Sequence, residues 1–373
     1  MTLPAVSILL TVVGARPQFI KSAALTRVLE GSSWKEHLVH AGQHSDDHMG
    51  TDFLVELGVP APAVRLTPAQ SGRTERMADM MKGIGAEIRR VRPEVVLVYG
   101  DTDATLAGAL AAHHAGVPLV HVEAGLRSGD RTMPEELNRI LTDQLSDMWV
   151  TTGPGPTELL VSEGAPSDGI VEAGDVMLDV ALAVKAGLAH RLPPMWPQSG
   201  PVLAATLHRP ALVDDPALLR ATMEALGHWA SATGGQVYFP VHPRTAARLG
   251  DMGLELPASV INPGPLGYVD MQAALHHASA VLTDSGGLQK EAWYQGTGAV
   301  VLRDTTEWTE LLDIGASQLF DPSRLLAKAA AADLTAALQA ASSVVQVNDV
   351  ALFGGGEASH RILEALERWK RTS

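Results

Sequence analysis

The chain has 373 residues, of which 46% are hydrophobic and 19% charged, and a formal net charge of −14. That length is long for one core and suits two domains, with the composition of a folded soluble enzyme rather than a disordered chain. The negative charge argues against nucleic acid or anionic membrane as the main partner, and the lack of cysteine excludes disulfides, thiolate nucleophiles and cysteine-held zinc.

The apolar run 6–13 has no basic residue before it and no small-residue cleavage pattern after it, so it reads as a first strand rather than a signal peptide. No stretch approaches the roughly 20 apolar residues of a membrane helix, and a cytoplasmic location is expected. Gly14-Ala15-Arg16-Pro17-Gln18-Phe19-Ile20-Lys21 follows, with Arg16 and Lys21 bracketing a helix N-terminus in a way that suits an anion. It is neither a dinucleotide fingerprint nor a Walker loop. His44 and His48 would chelate a metal only from a helix, and the Gly42 context reads as a loop, so no metal is expected there. Further strands end near Ala41, at Tyr99, at Val122 and around Thr151, with helical patterns over 17–30, 73–91, 104–115 and 134–147. Such alternation predicts a parallel sheet covered on both faces.

Gly100-Asp101-Thr102-Asp103 and His121-Val122-Glu123-Ala124-Gly125 close two of these strands. One right-handed crossover joins them, and neighbouring strands lie ~4.8 Å apart, so Asp101 and Glu123 should meet at the carboxyl edge of the sheet. Two converging carboxylates suggest proton chemistry. Asp101 could instead cap a helix, but Thr102 and Asp103 are better placed to do so. In Pro134-Glu135-Glu136 the acidic pair opens a helix whose Leu137, Ile140, Leu141 and Leu145 form one apolar face. The glutamates there could equally serve the helix dipole.

Gly153-Pro154-Gly155-Pro156 and a turn-rich stretch to Asp168 lead to a domain boundary near residue 170. A second alternation has strands at 170–173, 202–207, 236–241, 259–262, 280–283 and 299–302, with helices such as 216–230 and 271–278. Polar residues again close the strands: His208 and Arg209, then His242 and Arg244, then Asp284-Ser285-Gly286-Gly287 with Glu291 one turn further in. Gly286 and Gly287 at a helix start would let backbone N–H groups approach a phosphate, and Glu291 could accept hydrogen bonds from ribose hydroxyls. After the break at Gly354-Gly355-Gly356, helix 357–370 carries Ile362, Leu363, Leu366 and Trp369 at helical spacing and must dock that stripe. The expected division is 1–170 with helix 357–373, and 171–356.

Val98-Tyr99-Gly100-Asp101-Thr102, His121-Val122-Glu123-Ala124-Gly125-Leu126-Arg127 and Met133-Pro134-Glu135-Glu136-Leu137-Asn138-Arg139 resemble the non-hydrolysing UDP-N-acetylglucosamine 2-epimerase family. So do Leu207-His208-Arg209, Pro240-Val241-His242-Pro243, Thr283-Asp284-Ser285-Gly286-Gly287-Leu288-Gln289 and Leu302-Arg303-Asp304-Thr305-Thr306-Glu307. The resemblance covers nearly the whole chain in order. It implies an α/β fold of the GT-B type, two Rossmann-like domains facing across a cleft, with the last helix crossing back to the first. It also implies inversion at carbon 2 of a UDP-sugar through UDP and a glycal, with no redox cofactor and no metal, in a homodimer. On that basis Asp101, Glu123, Glu135 and His208 are the expected catalytic residues. Arg16, Lys21, His242, Ser285, Gly286, Gly287, Glu291 and Arg303 are the expected substrate-binding ones.

Departures from the family pattern bear on substrate. Gln18 stands for the usual Glu, Trp308-Thr309 for Arg-Pro, and Gly296-Thr297-Gly298 for Gly-Lys-Pro; the first two resemble a subset acting on UDP-2,3-diacetamido-2,3-dideoxyglucuronic acid. UDP-N-acetylglucosamine is nevertheless the expected substrate, because the family-wide motifs meet its requirements. Arg127 and Arg131 could supply charge for a uronate carboxylate. Gln43, Arg73, Glu136 and His242 match a second, activating UDP-N-acetylglucosamine site, but Asp46 and Pro210 depart from it. The rival enzyme class is a GT-B glycosyltransferase, which would not need three carboxylates around carbon 2.

Overall fold

Seven parallel strands form the first sheet: β1 (Ser7–Val13), β2 (Trp34–His40), β3 (Val64–Arg65), β4 (Val95–Tyr99), β5 (Leu119–Val122), β6 (Met148–Thr151) and β7 (Ile170–Glu172). This computed structural model describes residues 6–43, 56–69, 72–343 and 350–372; the His44–His48 motif lies outside them. The spatial order is β3-β2-β1-β4-β5-β6-β7, which reverses direction between β1 and β4. That reversal is the topological switch point, where the loops leaving the two strands diverge and open a crevice for ligands. The near-continuous Val and Leu runs of β1 and β4 are what a strand covered on both faces requires. Leu10, Val12, Val96 and Val98 pack against Met80 and Ile84 of helix Arg73–Val91 and Ala107 of helix Asp103–Ala115. Each large buried side chain is worth about 1.5–3 kcal/mol relative to exposure.

The second sheet repeats the pattern with six parallel strands: β8 (Val202–Thr206), β9 (Gln236–Tyr238), β10 (Val260–Ile261), β11 (Ala280–Thr283), β12 (Ala299–Val301) and β13 (Ser317–Leu319). Their order, β10-β9-β8-β11-β12-β13, places its own switch point between β8 and β11. Leu203, Val237 and Phe239 meet Leu219, Leu226 and Trp229 of helix Pro216–Thr233 and Leu334 and Leu338 of helix Ala330–Ala341.

Residues 1–180 and 349–373 form one compact unit and 181–348 the other, so helix Val176–Leu188 carries the chain from the first into the second. Three expectations are corrected. The 170–173 strand does not open the second sheet: Ile170, Val171 and Glu172 pair with Trp149, Val150 and Thr151 of β6 and close the first. Residues after Gly153 are not merely turns, because Pro154 enters a helix, Pro154–Ser162, in its first turn, where its missing N–H costs nothing. Helix Pro134–Leu145 also turns its other side inward. Leu137 and Leu141 are 43% and 48% exposed, while Glu136, Asn138, Arg139, Thr142 and Asp143 are buried.

The last helix, Ala358–Thr372, belongs to the first unit. Ile362 and Leu366 are fully buried, and Ser33 donates to Glu367 at 2.7 Å. Asp179 caps its start, accepting from the backbone N–H of Ala358 and Ser359 and from the Ser359 hydroxyl. Beside this cap Gly174 and Gly354 lie back to back; a Cβ on Gly174 would come within 2.6 Å of the Gly354 Cα. Both have left-handed backbone, φ +99 and +86, so neither position takes a side chain without strain.

Candidate active site

In the first unit the polar residues converge at the β1–β4 switch point and the neighbouring end of β5. Tyr99 and Val122 are register partners, so Gly100-Asp101 and Glu123 leave the sheet side by side. Thr102 is the N-cap of the following helix, accepting from the Thr105 N–H, which leaves the Asp101 side chain to other contacts. Asp101 receives a hydrogen bond from Arg139 and keeps 27% exposure. Burial pushes its carboxyl above the ordinary range; Arg139 pulls it down, Glu123 pushes it up, and Lys21 and Glu135 act more weakly in opposite senses.

Glu123 has φ +70, a left-handed conformation costing about 1 kcal/mol for a residue with a Cβ. It is held there because its own N–H and that of Ala124 both donate to the Val150 carbonyl at 3.0 Å. Its carboxylate pairs with Lys21, and both side chains are nearly buried. Burial alone would lower the Lys21 pKa; the Glu123 carboxylate overrides this, and the value is raised. Lys21 therefore stands charged beside both carboxylates.

Helix Pro134–Leu145 supplies the third side. Arg139 links Asp101 to Glu136, and Asn138 donates to the Asp101 carbonyl at 2.9 Å and to Asp103 at 3.1 Å. Glu136 grips the backbone N–H groups of Ser128 and Gly129, whereas Glu135 is exposed in the first turn and reaches Asp101 and Arg73 only through its charge. Gln18 is a staple. Its oxygen accepts from the Gly14 and Ala15 N–H groups, and its nitrogen donates to the Tyr99 carbonyl and the Thr105 hydroxyl, tying the loop after β1 to the end of β4. Arg16 is half-buried at the start of helix Arg16–Leu29, which follows that loop.

In the second unit the switch point between β8 and β11 is closed by Thr206 and Thr283, whose hydroxyls lie 2.7 Å apart. Beyond them Asp284, fully buried, accepts from the backbone N–H of His208 and Arg209 at 2.8 Å each. Its other oxygen lies 3.0 Å from His208 Nδ1, an ion-pair contact rather than a well-aligned hydrogen bond. Burial would raise the Asp284 pKa, but His208 and these amides hold it low. Ser285 caps helix Gly286–Gln295, as Ser at an N-cap should. Glu291, one turn further in, accepts from Gln272 at 2.5 Å. His242 caps helix Pro243–Asp251 through the Arg244 N–H, with its ring 5.5 Å from that of His208.

Arg303 donates to Glu307 at 2.9 Å, and this pair leans on the helix start: a Cβ on Gly286 would meet Glu307 Oε1 at 2.1 Å. Trp308 lies under the Lys290 ammonium, 3.5 Å from its ring centroid, and both are buried. Among the described residues no three His, Asp or Glu side chains gather where they could hold a metal ion, and no helix is long and apolar enough to cross a membrane.

The pattern of the UDP-N-acetylglucosamine 2-epimerase family matches residues 27–367, most of the chain. The chain belongs to that family. It is an epimerase, and so an isomerase. A UDP-2,3-diacetamido-2,3-dideoxy-D-glucuronate 2-epimerase of Pseudomonas aeruginosa is 41% identical over 370 residues, 96% of this chain and 99% of that one. A UDP-N-acetylglucosamine 2-epimerase of Methanocaldococcus jannaschii is 33% identical over 83% of this chain and 87% of its own length. The crystal structure of the Methanocaldococcus jannaschii UDP-GlcNAc 2-epimerase in complex with UDP-GlcNAc and UDP superposes with a TM-score of 0.81 at 30% identity, covering 97% and 99% of the two chains.

For this epimerase the structure brings Lys21, Asp101 and Glu123 together in the first unit, with Glu135 at the margin. It brings His208 and His242 together in the second, and Gly286 beside Arg303. Arg127 does not stand ready for a ligand carboxylate, since Asp143 and Glu163 already occupy its guanidinium at 2.7 and 2.6 Å. Of the positions matched to an activating site, Gln43 accepts from the Ala104 N–H and Arg73 is bound to Asp103. Sequence reasoning missed Arg139 and the Gln18 staple. Arg139 lies three residues after Glu136 on one helix, a spacing that could have marked it.

Proposed function

We propose that the protein inverts carbon 2 of a UDP-2-acetamido sugar by elimination and re-addition of UDP. The observation that carries this is the Asp101–Glu123 pair at adjacent strand ends, with Lys21 on one carboxylate and Arg139 on the other. One carboxylate takes the carbon-2 proton while the carbon 1–oxygen bond breaks, its electrons leaving with UDP, and a glycal results. Return of UDP to carbon 1, with a proton delivered to the opposite face of carbon 2, completes the inversion. Asp101, whose pKa burial raises, is suited to hold and return a proton. Arg16, His208, Ser285 and the Gly286–Gly287 helix start neutralise the departing diphosphate, and Glu291 takes the ribose.

For the sugar, the 41% identity to the Pseudomonas aeruginosa enzyme over nearly the full length of both chains supports UDP-2,3-diacetamido-2,3-dideoxyglucuronate, as do Gln18 and Trp308. This moves the uronate ahead of UDP-N-acetylglucosamine, the substrate expected from family-wide motifs. UDP-N-acetylglucosamine stays as the second reading, supported by the Methanocaldococcus jannaschii relative. Side-by-side turnover in heavy water, followed by proton NMR, tests both. Deuterium should appear at carbon 2 of the product, and kcat/KM for the diacetamido uronate should exceed that for UDP-N-acetylglucosamine by about tenfold, on the order of one charged hydrogen bond. Inversion without solvent deuterium sinks the elimination route. The opposite preference restores UDP-N-acetylglucosamine.

A further inference from the structure

His121 opens the family's second motif, fully buried in β5, and the reaction as derived makes no use of it. Its Nε2 lies 2.7 Å from the Gly100 carbonyl oxygen and its Nδ1 lies 2.7 Å from Asp143 Oδ1. A carbonyl oxygen only accepts, so Nε2 must carry a proton. A neutral ring would then need Nδ1 to accept from a protonated Asp143. The other oxygen of Asp143 works against this: the Arg127 guanidinium donates to it at 2.7 Å and the Gly125 N–H at 3.2 Å, contacts that favour the ionised carboxylate. Burial would push that carboxyl up, but His121 and Arg127 keep it below its ordinary value. Both ring nitrogens therefore donate, and a flipped ring would set carbon atoms against both acceptors.

We propose that His121 is held as a buried imidazolium and acts as a positioning residue, fixing the strand ends that bear Asp101 and Glu123 relative to each other. Gly100, whose carbonyl it grips, is the residue before Asp101. Asp143, which it pairs with, grips the N–H of Gly125, two residues beyond Glu123. Asp143 also belongs to the helix that carries Arg139 and Asn138, both of which contact Asp101. One cation–anion hub thus joins the ends of β4 and β5 to the helix facing them. The charges facing the imidazolium are Asp143 from that helix and Arg127 from the loop after β5, with Glu163 beyond Arg127. They balance, which is what lets an imidazolium stay charged out of water. Misplacing either carboxylate by an ångström is enough to cost a large factor in rate.

The charge is tested on the substrate-free protein by long-range proton–nitrogen NMR of ring-labelled histidine, with His121 assigned through the backbone of Val120 and Val122. Two protonated ring nitrogens are expected at about pH 7. A single-proton tautomer overturns the assignment. His121→Asn tests positioning: kcat should fall at least about tenfold while KM moves less than about twofold. A folded variant with kcat intact overturns it. If that variant does not fold, Asp143→Asn replaces it, with the ring expected to lose its second proton and kcat to fall; a folded Asp143→Asn protein that keeps both overturns the hub. Only the kinetic arm rests on the epimerase reading, so failure of the charge and failure of the reaction are told apart.

Discussion

Arg139 holds Asp101 with one amino group and Glu136 with the other, at 3.2 Å for the second contact. The general acid–base candidate is thus tied by a cation to a carboxylate that itself anchors the Ser128–Gly129 backbone. Because burial raises the Asp101 pKa and Arg139 opposes the rise, the acidic limb of kcat/KM should lie above the ordinary Asp value of 3.8. Arg139→Gln should move that limb to still higher pH, since the ionised form loses its main stabilising charge. A limb that stays put in a pH–rate profile of the variant would show that Asp101 does not set it.

Asp101→Asn should slow turnover by about 100-fold or more, the usual scale for a positioned acid–base group, with UDP affinity little changed. Calorimetric titration of UDP together with steady-state rates checks both halves. Loss of UDP binding in a folded variant would contradict the division of roles between Asp101 and the second-unit residues.

Gln18→Glu should destabilise the protein. The Gln18 nitrogen donates to the Tyr99 carbonyl and the Thr105 hydroxyl, and a carboxylate oxygen in its place would face the carbonyl lone pairs. The expected cost is about 1–3 kcal/mol, that of an unsatisfied buried polar group, read as a lower denaturation midpoint at unchanged m-value.

Much of this site is legible in the sequence. Asp101 and Glu123 stand where apolar runs stop, and a strand must run through the core to its end, so strand ends are readable from hydrophobic patterning. The rotation of a helix is harder to read. Leu137, Ile140, Leu141 and Leu145 look like a core stripe, yet the helix buries Glu136, Asn138, Arg139 and Asp143. Their partners are backbone groups and side chains distant in sequence, which no periodicity encodes, and so Arg139 and the Asp143 hub went unseen. Likewise the 170–173 strand pairs with β6 and not with the second sheet, and an isolated strand carries no mark of which neighbour it will pair with.

Gly286→Ala should weaken UDP binding by about tenfold or more while leaving most of the fold intact. The added methyl would sit 2.1 Å from Glu307 Oε1, so the 303–307 loop must move off the helix start. Adding Glu307→Ala to the same chain makes room again and should recover part of the affinity. No recovery would mean that the methyl blocks the ligand itself.

Acid unfolding should report on Asp143. Its folded pKa is depressed, so its contribution is present above the unfolded value of about 3.8 and is lost as pH falls through the lower folded value. The gap in melting temperature between the wild type and Asp143→Asn should therefore be widest above about pH 4 and close on acidification. A gap independent of pH would mean that the carboxylate's charge contributes nothing.

The contact of Gly174 with Gly354, and the Asp179 cap on helix Ala358–Thr372, bear on the order in which the chain is made. During synthesis, residues 181–348 emerge whole, sheet and covering helices together, before the segment that completes the first unit exists. The first seven strands must wait through that interval with the bed for Ile362 and Leu366 uncovered. The part made first is the part finished last, and its exposure lasts as long as the ribosome takes to reach residue 372.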